Sequence, residues 1–258
     1  MPDYEFCKVE KEDHLLVVTL NRPELLNALH VHANIELAKV FDEFAADPDL
    51  WMAIITGAGR GFSAGNDLKA TAAAENVPDQ PSAGFGGITS RFDLNKPLIA
   101  AVNGVSMGGG FEIALACDLI IASENAKFAL PEPRVGLAAG AGGMERLPQQ
   151  IGLKRAMGMM LTGRHVTARE GLELGFVNEV VPEGEALKAA RRWAEQILEC
   201  SPVSIRATKA VALDSIGRSL EESMQEPHPM LRKLFKSEDA KEGPRAFAEK
   251  RPPQWKGK

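Results

Sequence analysis

Apolar residues in this chain fall first into short continuous runs and then into helical stripes, and the change of pattern marks its organisation. Tyr4 to Val9 and Leu15 to Leu20 are β-prone runs split by the polar turn Glu10-Lys11-Glu12-Asp13, which predicts a hairpin. Asn21-Arg22-Pro23 stops the second strand. From Val31 to Ala46, Ile35, Leu37, Ala38, Phe41, Phe44 and Ala45 recur at helical spacing. Asp47-Pro48 ends that helix, because the proline ring disfavours a helical residue before it. Trp51 to Thr56 is unbroken apolar sequence, as expected of a strand buried on both faces. A glycine-rich loop follows from Gly57 to Leu68. Thr71 to Gly87, rich in Ala, Gly, Pro and Ser, reads as a mobile segment with some helix, and Ile88 to Leu94 leads out of it.

Pro97 to Val102 is a second buried strand, turning at Asn103-Gly104. It is followed by three consecutive glycines, Gly108 to Gly110, and a short apolar helix, Phe111 to Cys117. A third strand-and-turn unit ends at Ser123-Glu124-Asn125 and gives a further short strand, Lys127 to Leu130. This weak repetition suggests strand-turn-helix units winding into a spiral of α/β class. After Gly140-Ala141-Gly142-Gly143 the pattern is mostly helical: Met144 to Ile151, Leu153 to Leu161, Ala168 to Leu174 and Ala186 to Cys200, interrupted by a strand at Phe176 to Val181. Helices from Pro202 to Ile216, Ser219 to Phe235 and Ser237 to Lys250 then form a helical layer on the α/β core.

Composition narrows the possibilities. The 258 residues suffice for one large core, with 45% hydrophobic and 25% charged residues. A net charge of −5 provides no basic footprint for nucleic acid or an anionic membrane. There is no apolar run long enough for a membrane span and no basic-then-apolar leader, and Cys7, Cys117 and Cys200 are few and far apart. These features lead us to expect a cytoplasmic protein with reduced thiols.

Two carboxylates stand out. Glu112 lies in an almost wholly apolar helix and Glu132 between two prolines in another apolar run. Burying such a group costs several kcal/mol unless it is paired or protonated. The glycines before Glu112 place backbone N–H donors at a helix start, where they could hold a developing oxyanion. Ser63-Ala64-Gly65-Asn66-Asp67 could supply a second donor. Each feature has a plainer reading: glycines for close packing, a surface turn, an exposed loop glutamate. Together they fall at strand ends of one α/β core. His30-x-His32 has metal-ligand residue types but opens an ordinary helix and reads as solvated, while Lys209 and the Lys/Arg-rich tail read as solvated helix faces or intersubunit ion pairs worth little each. No metal is expected.

IITGAGRGFSAGNDLK, PLIAAVNGVSMGGGFEIALACDLIIASENAKFALPEPRVGL and GAGGMERLP resemble the crotonase, or enoyl-CoA hydratase/isomerase, superfamily. TGRHVTAREGLELGFVNEVV and EGPRAFAEKR extend the similarity over nearly the whole chain. The resemblance implies a crotonase-like spiral of ββα repeats over residues 1–198, holding an acyl-CoA active site. It also implies a helical C-terminal region, residues 199–258, that makes homotrimers, commonly paired into hexamers. Coenzyme A would be part of the substrate, with no separate cofactor. The implied oxyanion hole is formed by the N–H groups of Asn66 and Gly109, the catalytic acid–base pair by Glu112 and Glu132, and the N–H of Gly140 corresponds to a donor to the catalytic water. CoA contacts fall at Glu24, Leu25 and Leu26, along Ala64 to Leu68 with Asp67, and at Phe247 and Lys250. Glu24 stands where many hydratases carry a phosphate-contacting lysine, leaving Arg22 or a neighbouring subunit to compensate.

Both glutamates favour hydration of a 2-enoyl-CoA over isomerisation, which needs one base. SAGNDLKA, FGGITSRFDLNKPLIAAVNG and SEDAKEGPRAFAEKRPPQWKGK look most like carnitinyl-CoA dehydratases and the enoyl-CoA hydratases near them. Against the narrower likeness, Asn66 replaces a bulky aromatic, and Ala138-Ala139-Gly140 replaces a Pro-containing turn. A non-catalytic acyl-CoA or RNA-binding scaffold is the alternative of a different class, disfavoured by the negative charge and the complete carboxylate pair. The acyl selector is expected in Thr71 to Gly87.

Overall fold

Three strand–strand–helix turns carry the chain from one sheet to another and back. The computed structural model describes residues 4–73 and 78–258. Its strands are β1 (Cys7–Glu12), β2 (Leu15–Leu20), β3 (Met52–Gly57), β4 (Gly61–Ser63) and β5 (Leu98–Val102), then β6 (Val105–Met107), β7 (Leu119–Ser123), β8 (Lys127–Ala129), β9 (Val166–Thr167) and β10 (Glu179–Val181). The larger sheet has the order β1-β2-β3-β5-β7-β10 and the smaller β4-β6-β8-β9. All pairs are parallel except β1 with β2 and β8 with β9. Helices α1 (Val31–Ala46), α2 (Leu68–Ala73), α3 (Gly109–Ala116), α4 (Gly143–Ile151), α5 (Leu153–Thr162) and α6 (Ala168–Leu174) accompany the spiral. The later ones are α7 (Ala186–Leu198), α8 (Pro202–Asp214), α9 (Leu220–Gln225), α10 (Pro229–Lys236) and α11 (Asp239–Glu249).

Each turn leaves the larger sheet by a tight bend, adds a strand to the smaller sheet and ends in a helix: β3-β4-α2, then β5-β6-α3. The third, β7-β8, ends in a single 3-10 turn, Glu132–Val135. The inner strands β2, β3, β5 and β7 of the larger sheet are buried on both faces, which explains their continuous apolar runs. Leu15, Val17, Met52, Ile54, Ile99, Ala101 and Ile121 face Ala186, Ala189, Ala190 and Ala194 of α7. The alternate residues, including Leu16, Val18, Ala53, Ile55, Leu98, Ala100 and Val102, face α1, α3 and the smaller sheet. Asn103 fixes the bend between β5 and β6. Its Nδ2 donates to the Gly57 and Gly59 carbonyls, each at 2.9 Å, and its Oδ1 accepts from the Gly57 N–H at 3.3 Å.

Several expectations shift. The first strand begins at Cys7, not Tyr4, and runs through Glu12, so the hairpin loop is only Asp13-His14, with Asp13 at φ 48°. The charged residues of that run lie on an edge strand, where water satisfies them. The strand expected at Phe176 to Val181 starts at Glu179, because the Phe176 and Val177 N–H groups cap α6 through the Gly171 carbonyl. The helix expected from Ser219 to Phe235 is broken in two around Pro227 and Pro229. Lys209 is not a solvated residue: it lies between the Lys96 carbonyl at 3.1 Å and Asp118 at 2.8 Å.

Part of the segment expected to be mobile, residues 74–77, lies outside the described residues. From Gly84 onward the chain is pinned. Buried Asn34 of α1 accepts from the Gly86 N–H at 2.9 Å and donates to Gln80 at 3.0 Å, while Gly87 packs directly on the α1 backbone. At the other end, the tail is tied back onto α11 and α8. Buried Asp239 accepts from Ser201 Oγ at 2.8 Å and the Lys256 N–H at 2.7 Å, and Arg206 donates to the Gly257 carbonyl at 2.7 Å. No helix among the described residues is long and apolar enough to cross a membrane.

Helix α3 can start where it does only because its first turn rides on the β4 loop. A Cβ on Gly110 would lie on the Ser63 carbonyl oxygen, a backbone atom that cannot step aside. Gly110→Ala is therefore expected to cost roughly 1–3 kcal/mol by overpacking, and a urea midpoint matching the parent protein would contradict this packing.

Candidate active site

Gly108 links the two singled-out residues: it touches the Glu132 carboxyl and begins the turn that carries Glu112. It precedes α3 at φ 52°, a conformation that favours glycine, and a Cβ there would come within 2.7 Å of Glu132 Oε1. Glu112 lies in the first turn of the same helix, with its N–H bonded to the Gly108 carbonyl at 2.9 Å. Glu132 arrives from the end of β8, where Pro131 and Pro133 flank it in the 3-10 turn. Its Oε2 is buried without a hydrogen-bond partner among the described residues, although such oxygens are normally satisfied. That leaves one carboxyl oxygen uncommitted and able to exchange a proton.

Glu112 is only 3% exposed. Its Oε1 accepts from the Ala141 N–H at 2.7 Å and the Gly143 N–H at 2.9 Å, so the carboxyl lies at the start of α4. Unpaired N–H groups and the positive end of the helix dipole favour an anion there. Burial acts the other way and dominates, and the nearby Glu132 charge adds to it, pushing the Glu112 pKa up to about 7. Burial also raises Glu132 from its ordinary value. A carboxyl poised between charged and neutral at neutral pH, beside a second one whose pKa is also raised, suits proton transfer.

The donors come from two adjoining loops. Gly65 packs so closely against the next turn that a Cβ would meet the Met107 carbonyl at 2.5 Å and the Gly109 nitrogen at 2.9 Å. Asn66 pairs with Leu29 through its neighbours: the Leu29 N–H donates to Gly65 and the Asp67 N–H to Leu29. That alternation leaves the Asn66 N–H unused. The Gly109 N–H opens α3, and neither has an acceptor among the described residues. Asn66 and Gly109 thus present two free backbone donors from neighbouring strand ends, beside Glu132.

The other singled-out residues divide. Leu25, at 44% exposed, and Glu24 lie in a 3-10 turn, and the Leu26 carbonyl accepts from the Ala64 N–H at 2.8 Å, joining that turn to the Asn66 loop. Leu68 is exposed at the start of α2. Asp67 is occupied: it pairs with Arg22 at 3.1 Å and accepts from the Ala70 N–H at 3.0 Å, which holds its carboxyl below the ordinary range. Arg22 also donates to the Ala28 carbonyl at 2.5 Å, so its guanidinium is committed within the fold. The Gly140 N–H turns back to the Ala138 carbonyl at 2.8 Å, while its neighbours Ala141 and Gly143 hold Glu112. Phe247, 87% exposed, belongs to α11 and Lys250 caps its end, and no hydrogen bond joins either to the Glu24 or Asn66 loops among the described residues. His30 caps α1 by accepting from the Ala33 N–H at 3.2 Å. No group of three or more potential metal ligands occurs among the described residues.

The sequence reading missed Asn27, Asn34 and Arg146. Buried Asn27, at φ 56°, donates to the Ala58 and Gly61 carbonyls at 2.9 and 2.8 Å and fixes the loop ahead of Asn66. Polar residues at core positions of helical or loop sequence were the available signal.

Comparison with known proteins agrees with this geometry. Residues 10–258 match the enoyl-CoA hydratase/isomerase family. A carnitinyl-CoA dehydratase of Proteus mirabilis is 45% identical over 251 residues, covering 95% of each chain. One from Salmonella arizonae is 44% identical over 98% of this chain and 99% of its own. The crystal structure of an enoyl-CoA hydratase from Mycobacterium tuberculosis superposes with a TM-score of 0.92 at 43% identity, covering 98% and 99% of the two chains. The two-sheet spiral, the glycine turn beneath Glu112 and the match along nearly its full length place this chain in the crotonase fold, and it belongs to the enoyl-CoA hydratase/isomerase family.

Proposed function

We propose that the protein is a hydro-lyase that adds water reversibly across the double bond of a 2-enoyl-CoA, giving a 3-hydroxyacyl-CoA. The observation that carries this is a pair of carboxyls, buried Glu112 and half-buried Glu132, close enough for the charge of one to raise the pKa of the other, with Glu132 Oε2 unpartnered among the described residues. An isomerase moves one proton and needs one base; a hydratase must handle both ends of a water. Asn66 and Gly109 N–H groups would grip the thioester oxygen and stabilise the enolate-like charge, an effect worth a few kcal/mol per donor. Glu112 would take the proton from the attacking water and Glu132 would deliver one to Cα, with the roles reversed in dehydration. The pair shares its protons, so its pH dependence belongs to both groups together. Ala141 and Gly143 orient the Glu112 carboxyl for this work.

Glu24, Leu25, Leu26, Ala64 and Leu68 form the surface along which coenzyme A would lie, with the thioester reaching inward to Asn66. Arg22 is committed to Asp67, so it does not replace the phosphate-contacting lysine, and Phe247 and Lys250 would reach the ligand only from a neighbouring subunit. A homotrimer, or a dimer of trimers, fits the exposed Leu213, Ile216, Leu220, Met224 and Phe235 of the C-terminal helices, an apolar surface suited to association. Residues 199–258 would then serve as the assembling region of a cytoplasmic enzyme that needs no cofactor beyond its CoA ester.

Dehydration of carnitinyl-CoA is the second reading, favoured by the relatives of that name at 44–45% identity. Parallel assays of crotonyl-CoA hydration and carnitinyl-CoA dehydration decide the acyl preference, and no turnover of either or of other 2-enoyl-CoAs would overturn the hydro-lyase assignment. Glu112→Gln and Glu132→Gln are each expected to lose roughly 10²–10⁴-fold in kcat while folding normally, and near-parental turnover by either would remove it from the acid–base pair. Glu132→Gln should also lower the Glu112 pKa from about 7, because a neighbouring negative charge is gone. Infrared titration of the carboxyl bands checks this, and an unmoved midpoint would mean the two groups do not face each other.

A further inference from the structure

Arg146 takes no part in the chemistry described above, yet it touches both walls of the site. It lies in the first turn of α4, half-buried, and burial draws its pKa below the ordinary value. Its Nη2 donates to the Thr89 carbonyl at 2.7 Å. Its Nη1 lies over Gly142 and reaches the Ala141 carbonyl at 3.5 Å. The guanidinium also stands 5.9 Å from the centre of the Phe92 ring.

These contacts connect two segments that the chain separates widely. On one side is the loop from Ala138 to Gly143, whose Ala141 and Gly143 N–H groups hold Glu112 Oε1. On the other is the pinned segment from Gly84 to Phe92, whose Phe85 ring packs directly on Gly109, the residue presenting a free N–H. One planar cation therefore joins the support of Glu112 to the wall behind Gly109. A lysine would have to reach both carbonyls from one nitrogen, whereas the guanidinium fork meets them with two.

We propose that Arg146 is a positioning residue for the acid–base pair. It clasps the Glu112-holding loop to the Gly84–Phe92 wall, and its charge offsets the carboxylates crowded into the site. Among the described residues, the charged and titratable groups acting on Glu112 or Arg146 are Glu132, Glu145 and Arg146 on α4 and the Cys117 thiol just after α3. Of these Arg146 is the one cation. Without it the two N–H bonds to Glu112 loosen and the compensating charge disappears, and both losses favour the neutral carboxyl. The acid–base role of Glu112 rests on the hydratase reading, but the positioning of its carboxyl does not.

The test is the ¹³C NMR titration of glutamate-labelled protein, with Glu112→Gln identifying the resonance, in the parent, Arg146→Met and Arg146→Lys. In Arg146→Met the Glu112 midpoint should rise by at least half a pH unit above its parental value, and kcat for crotonyl-CoA should fall about tenfold or more with KM within twofold. Arg146→Lys, which keeps the charge but not the fork, should move both in the same direction by less. An unchanged Glu112 midpoint in folded Arg146→Met overturns the proposal whatever kcat does. If the methionine variant does not fold, an unchanged midpoint and kcat in the lysine variant do so instead. A parent enzyme without hydratase turnover would defeat the functional reading, and the titration would still decide the role of Arg146.

Discussion

The fold is arranged around a carboxyl group held in its interior. Glu112 is almost entirely removed from water, and burial opposes its ionisation. Two backbone N–H groups at the start of α4 act in the opposite sense. Burial wins, but the two donors hold the carboxyl close to neutral pH. That balance depends on distant elements: β5 and β6 deliver α3, the glycines let it approach β4, and the loop before α4 supplies the donors. A change in any of them alters the charge of one side chain at neutral pH.

The two sheets divide the labour. The larger is a packing device, with one face against the alanines of α7 and the other against α1, and it carries none of the singled-out groups. The smaller sheet is short, and its strands end where the chemistry gathers: β4 before Asn66, β6 before Gly109 and β8 before Glu132. Three successive turns of one spiral thus contribute one donor, one donor with a carboxyl, and one carboxyl. Their alignment follows from the parallel register of β4, β6 and β8, not from long loops.

Much of this was legible in the sequence because it rests on local signals. Continuous apolar runs marked β3 and β5, helical spacing marked α1, and Glu112 and Glu132 were visible as carboxylates in apolar surroundings. The supports were less visible because they depend on distant partners. Asn34 reads as an ordinary helical residue until Gly86 arrives from elsewhere in the chain, and Arg146 reads as a surface arginine until Thr89 is placed beside it. The segment from Gly84 to Gly87 looked loose because glycine permits disorder, whereas here glycine permits contact with α1. Lys209 was misread for the same reason: its partner Asp118 is remote in sequence.

The bend at Asn103 places a chemically labile pair, Asn103-Gly104, between the two sheets. Asparagine followed by glycine is the dipeptide most prone to lose its side-chain amide nitrogen. Here the amide is gripped by Gly57 and Gly59, so the native backbone cannot easily fold over it to react. Should the reaction occur during a transient opening, the aspartate formed would point an acceptor at carbonyl oxygens that need a donor. The same contacts that turn the chain between its sheets thus slow the ageing of this bend, and after the amide is lost they oppose the turn they once held.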